Sequence, residues 1–250
     1  VQIPAVLKYR FILLLTVLFP LVFVQCENTV PEESISTLLE DLPSITGEPN
    51  YLESPFVTAG DRLYMVGHQD GSFPDLGWHV EGEMGGIWNH PIKLMDGFSI
   101  SIKDHASDNI MCLGNASSFV NYPVGNSHLF EYGNDIRITR SQFVPDQKEG
   151  ILIEANIQNI SNSKKVVEIG FTGMIDLMPV WLSDSLNIEN GMDKVSWNKE
   201  HQLYVAEDVQ NSWVTVFGTK SGKFTGPKET TNCSFKRKGK GVDATLATTL

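Results

Sequence analysis

The chain has 250 residues, 41% hydrophobic and 20% charged, a globular composition with room for one large domain or two small ones that excludes disorder and collagen. Its formal net charge of −11 would repel a phosphate backbone, so nucleic acid is not an expected partner. Twenty-one Gly and twelve Pro spread along the chain, with 10% aromatics, favour an all-β protein with many turns over a helical bundle.

Lys8 and Arg10 precede an apolar run of 14 residues from Phe11 to Val24, the positive and apolar regions of a secretory signal. A spanning helix needs roughly 20 apolar residues, so the expectation is an exported chain, periplasmic, secreted or on the cell surface as a lipoprotein, rather than an anchored one. Cys26 follows Leu21-Val22-Phe23-Val24-Gln25 and is the candidate lipidation site. Gln25 is larger than the small residue expected there, so ordinary cleavage nearby stands beside it. A membrane is a partner only through such a lipid, which tethers and does not embed. Removing residues 1–25 takes away two bases and no acid, leaving 17 basic against 30 acidic residues, a net of −13. Cys112 and Cys233 then remain, either as one disulfide or as two buried thiols.

Residues 26–50, rich in Glu, Ser and Pro, read as a linker or arm with a two-turn helix after Ser34. From Tyr51 to Leu250 the pattern is β-rich, with strands expected at 62–66, 98–102, 136–140, 151–157, 166–172, 202–206, 213–218 and 233–236. Ile151, Ile153, Ala155 and Ile157 alternate with residues that turn polar, the mark of a half-buried antiparallel strand, and the polar connection 159–165 predicts pairing with the strand after it. Asn198–His201 predicts a second hairpin, joining 195–197 to 203–205. Residues 241–250 look like a strand just beginning. With Val1 in place of Met, this leads us to expect a piece of a longer reading frame, cut within the β domain.

One segment concentrates chemistry. Residues 70–97 hold six Gly, two Pro, two Trp and two His in a long loop-like stretch, and loops of that length inside a compact domain are usually functional. Trp78 and Trp88 offer flat apolar faces for a sugar ring, and Asp70, Asp75, His79, Glu81, Asn89, His90 and Asp96 can bond hydroxyls around its rim. The same tryptophans could equally cover one end of a β core, and the polar residues could form a network that pins the loop. His79-Val80-Glu81 with His90 lacks the spacing of a standard metal site, so no metal is expected. No Gly-x-Ser-x-Gly elbow and no phosphate loop is visible, and no cofactor is implied.

Residues 64–79 (Tyr64-Met65-Val66-Gly67-His68-Gln69-Asp70-Gly71-Ser72-Phe73-Pro74-Asp75-Leu76-Gly77-Trp78-His79) and 82–98 (Gly82-Glu83-Met84-Gly85-Gly86-Ile87-Trp88-Asn89-His90-Pro91-Ile92-Lys93-Leu94-Met95-Asp96-Gly97-Phe98), with Phe143-Val144-Pro145-Asp146, resemble the N-terminal domain of bacterial glycogen-debranching-like glycoside hydrolases. The resemblance spans about residues 50 to 250. It implies an antiparallel β-supersandwich ahead of an α/α barrel of the same polypeptide, in enzymes that hydrolyse α-glucosidic bonds of glucans or related oligosaccharides. In them the general acid and base lie on the barrel, so no catalytic residue is assigned here and the chain alone is expected to be inactive. The alternative, from another class, is a free-standing carbohydrate-binding or scaffold β-sandwich.

Overall fold

The computed structural model describes residues 34–77, 83–106, 109–180, 185, 187–220, 224–228, 233 and 241–250. The segment expected to direct export, with Cys26, and residues 234–236 of the last expected strand lie outside them.

Among the described residues the chain forms one short α-helix and sixteen strands, an all-β antiparallel protein. The helix, α1 (Ile35–Glu40), starts at Ser34, whose side chain accepts a hydrogen bond from the Ser36 N–H. Ile35 and Leu39, one turn apart on one face, are buried. The strands are β1 (Ile45–Thr46), β2 (Pro55–Ala59), β3 (Tyr64–His68), β4 (Gly86–Asn89), β5 (Ile92–Asp104), β6 (Ile110–Cys112), β7 (Ser118–Asn121), β8 (Gly125–Tyr132), β9 (Ile136–Phe143), β10 (Leu152–Asn159), β11 (Val167–Pro179), β12 (Asp193–Asn198), β13 (Leu203–Asp208), β14 (Val214–Gly218), β15 (Phe224–Lys228) and β16 (Val242–Thr249).

They make three sheets. The largest runs β15-β16-β11-β5-β4-β3-β2 with β6 added to β5; a second runs β1-β7-β8-β9-β10; the third is the meander β12-β13-β14. β5 and β11, 13 residues each, form the centre of the large sheet and are buried along almost their whole length, as strands covered on both faces must be. Phe98 of β5 and Phe171 of β11 stack at 5.2 Å on one face. The second sheet brings Arg140 to 5.1 Å from the Phe98 ring, and the third brings Phe217 to 5.8 Å from Phe171. The two smaller sheets therefore share one face of the large one, a sandwich-like arrangement. The other face carries Ser99, Ser101, Thr172 and Thr245, all buried, with the two threonine hydroxyls 2.8 Å apart.

Of the linker or arm expected over residues 26–50, the part from Ser34 onward is an arm packed on the second sheet. Ser34 Oγ and the Ile35 N–H donate to the two carboxylate oxygens of Glu154 at 2.7 and 3.0 Å, and β1 pairs with β7. This arm is the edge of the second sheet and buries Leu39 to 1% exposure, which a free linker could not do.

The hairpin expected between 151–157 and 166–172 is likewise corrected. β10 pairs with β9 alone, whereas β11 lies between β5 and β16 in another sheet. The connecting turn is local and polar: Asn159 Oδ1 accepts from the Ser161 N–H and Oγ, and Asn159 Nδ2 donates to the Ser163 carbonyl. It reverses the chain while the apolar character of β11 sends that strand to the centre of the large sheet. The second expected hairpin is present, with Val195 opposite Ala206 and Trp197 opposite Tyr204. Cys112 and Cys233 form a disulfide with Cα atoms 5.4 Å apart, which decides between the two fates open to them.

Candidate functional site

The glycine-rich segment leaves β3 through a turn that its own residues close. The His68 N–H donates to the Ser72 carbonyl at 2.9 Å, the Gly71 N–H to the His68 carbonyl at 2.8 Å, and Asp70 Oδ1 accepts from the Ser72 N–H and Oγ at 2.8 and 2.6 Å. The side-chain oxygen of Asp70 stands in for a backbone acceptor, the reason Asp opens turns so often. Gly71 has φ +88°, and a Cβ there would stand 2.8 Å from Phe130 Cζ and 2.9 Å from Arg140 Nη2. Only glycine satisfies both the backbone angle and the space.

The turn rests on a buried polar column from the second sheet. His128 lies opposite Arg140 and Asn126 opposite Gln142 across β8 and β9. Gln142 Nε2 donates to Asn126 Oδ1, and Asn126 Nδ2 to Thr58 Oγ1 of β2. The Arg140 guanidinium is fully buried between the Phe98 and Phe130 rings, 5.1 and 5.4 Å from their centres, and Nη1 donates to the Gly71 carbonyl at 3.0 Å. Burial pushes this group down to about 9, with Asp70 and then Tyr132 opposing the shift.

Further along, Phe73 packs on Phe98 at 4.9 Å and lies directly over Gly97, where a Cβ would collide with the ring. The Leu76 carbonyl then accepts from the Met84 and Gly85 N–H groups at 2.9 and 3.3 Å. The described residues thus fix both ends of the excursion between Leu76 and Met84. Trp78, His79 and Glu81, all expected site residues, belong to it and lie outside the described residues.

After the excursion the chain enters β4 and turns at His90-Pro91, joined by a cis peptide bond, into β5. Trp88 is 1% exposed. Its Nε1–H donates to the Gly85 carbonyl at 2.9 Å, its ring is parallel to Tyr64 at 6.3 Å, and Lys93 Nζ stands 5.8 Å from its centre. A ring so enclosed has no free face, so the expectation that Trp88 stacks on a sugar is corrected: it is a core residue. Asp96, 8% exposed, is ion-paired with Lys93 at 2.6 Å, which likewise makes it part of the scaffold and not of a rim. Glu83 lies near this pair; burial raises its carboxyl above the ordinary value while the Lys93 charge lowers it.

Of the remaining expected residues, Asp70 spends Oδ1 on its own turn, Asp75 and Asn89 are half-buried, and His90 is exposed at the β4–β5 turn. The structure brings Trp88, Asp96 and Lys93 together as a foundation and leaves Asn89 and His90 at the surface above it. Sequence reasoning missed Lys93, His128 and Arg140. The signal for Arg140 was its phase: Ile136, Ile138, Arg140 and Gln142 share one side of β9, so the alternation that buries the isoleucines buries the arginine too. Among the described residues no group of three or more His, Cys, Asp or Glu is placed to hold a metal ion. No protein-family model and no curated protein matches this chain.

Proposed function

We propose that the chain is the non-catalytic N-terminal β domain of an exported glycoside hydrolase acting on α-glucosidic bonds, and that the excursion between Leu76 and Met84 lines the sugar site of an α/α barrel. The observation that carries the reading is the fixed neck of that excursion: Leu76 is bonded to Met84 and Gly85 above a buried foundation of Trp88, Lys93 and Asp96. A segment with one tryptophan, one histidine and two glutamates, anchored at both ends, offers a flat apolar face and polar groups for the rim of a sugar. Trp78 supplies the face; His79 and Glu81, with Asn89 and His90 at the adjoining turn, supply hydrogen bonds to sugar hydroxyls. The sandwich-like antiparallel fold agrees with the domain that the motif in residues 64–98 resembles. The Cys112–Cys233 disulfide suits an oxidising compartment.

Calorimetry of the full chain against maltooligosaccharides and soluble α-glucans tests this. Binding is expected that weakens at least about tenfold in Trp78→Ala, a stacking loss of roughly 1.4 kcal/mol, and is unchanged in Trp88→Phe. No affinity for any α-glucan overturns the lining role. Glucose release by the purified chain would overturn the assignment of catalysis to a barrel.

A further inference from the structure

Beneath the His68–Ser72 turn the protein encloses two basic side chains and bonds neither to a carboxylate. Arg140 Nη2 stands 3.5 Å from His128 Nδ1. A guanidinium only donates, so Nδ1 must accept, and the single ring proton of neutral His128 sits on Nε2. Both residues are 0% exposed, and Arg140 Nε has no hydrogen-bond partner. A second ring proton would convert the acceptor to a donor and set two cations 3.5 Å apart in an aromatic enclosure.

We propose that His128 and Arg140 form an acid-sensitive latch on the His68–Ser72 turn. With the ring neutral, the guanidinium stays between Phe98 and Phe130 and holds Gly71. When the ring takes up a proton the pair separates, and the His68–Ser72 turn is released.

The groups around the ring come from five strands. β9 supplies Arg140, β8 Phe130, β7 Phe119, β2 Phe56, and β3 the His68 backbone carbonyl. Asp70 and Tyr132 act on Arg140 through space. Burial first, and the Arg140 charge second, hold the ring well below its ordinary value of 6.5, with the His68 carbonyl opposing. The sign follows: the released ring titrates near 6.5, so docking is at full strength above that pH. Below it, docking weakens about tenfold per pH unit until the depressed docked value is reached. This inference does not depend on the carbohydrate reading, and a failure to bind glucan leaves it intact.

The test is hydrogen exchange of the full chain at about pH 7 and about pH 5, corrected for intrinsic rates, in wild type and His128→Asn, whose side-chain oxygen keeps an acceptor but does not titrate. In the wild type, opening of the Gly71, Ser72 and Ala116 amides should rise about 30-fold relative to the β8–β9 ladder amides, the figure for 1.5 pH units below the ordinary histidine value. In His128→Asn the relative rise should vanish. An equal rise in both proteins overturns the latch. Should the variant fail to fold, the wild type decides alone: selective opening of the turn sustains the proposal, and no rise, or opening of turn and ladder together, overturns it.

Discussion

Breaking the Cys112–Cys233 disulfide should destabilise the protein about as much as the costliest side-chain truncations in its core. The bond joins residues 121 positions apart, so it closes a long loop in the unfolded chain. The chain-entropy relation for a loop of that length gives about 4.9 kcal/mol at 25 °C. For a chain of this size, about 2–4 °C per kcal/mol converts this to a melting temperature lower by roughly 10–20 °C. Urea and thermal unfolding of the oxidised protein, compared with the same protein held reduced, isolate the cross-link, because no side-chain atom but the two thiol hydrogens differs. The urea m value should also rise on reduction, since an unfolded chain freed of its loop exposes more surface. A loss below about 1 kcal/mol with an unchanged m value would refute the reasoning and mean that the unfolded chain is already held compact between these cysteines.

Two further outcomes concern the site and a third the end of β5. Gly71→Ala, forced to keep φ +88° with its methyl against Phe130 and Arg140, should lose about 1–3 kcal/mol, read as a lower urea midpoint; an unchanged midpoint would mean the turn is not seated on Arg140. Lys93→Met leaves the buried Asp96 carboxylate without its ammonium and should cost about 3–5 kcal/mol, and the double change with Asp96→Asn should cost less than the single one; equal losses would show that the pair is not coupled. The Asp104 carboxyl is held below its ordinary value of 3.8 by the Ala106 N–H and then by Lys165. Its contribution is therefore complete above that pH and drains away as pH falls through the lowered folded value. Asp104→Asn should flatten the stability profile below about pH 4, and an identical acid limb in both proteins would contradict this.

The all-β class was legible because alternation and turn residues are local, and so was the hairpin β12–β13, whose partner strand is the next in sequence. β10 and β11 show where locality fails. A seven-residue polar connection suits a hairpin, yet β11 finds β5 and β16 instead, because a 13-residue apolar strand gains more from burial on both faces than from pairing with the half-exposed β10. The site divides in the same way. Gly, Trp and acid content marked residues 70–97 as special, but composition does not say which side of a strand a residue faces. Trp88 and Asp96 went inward with β4 and β5, while Arg140, remote in sequence and in phase with two isoleucines, turned out to hold the segment's first turn.

The order of strands in the large sheet also governs how the protein comes into being. β11 receives one neighbour, β5, from about 70 residues upstream and the other, β16, from about 70 residues downstream, and Val167 and Leu250 exchange both of their backbone hydrogen bonds. A chain emerging from a ribosome or a translocation pore therefore carries one of its two longest strands with one edge open until residues 242–249 arrive. Nascent chains shorter than that are the form most exposed to aggregation, and the form a holding chaperone has most reason to recognise.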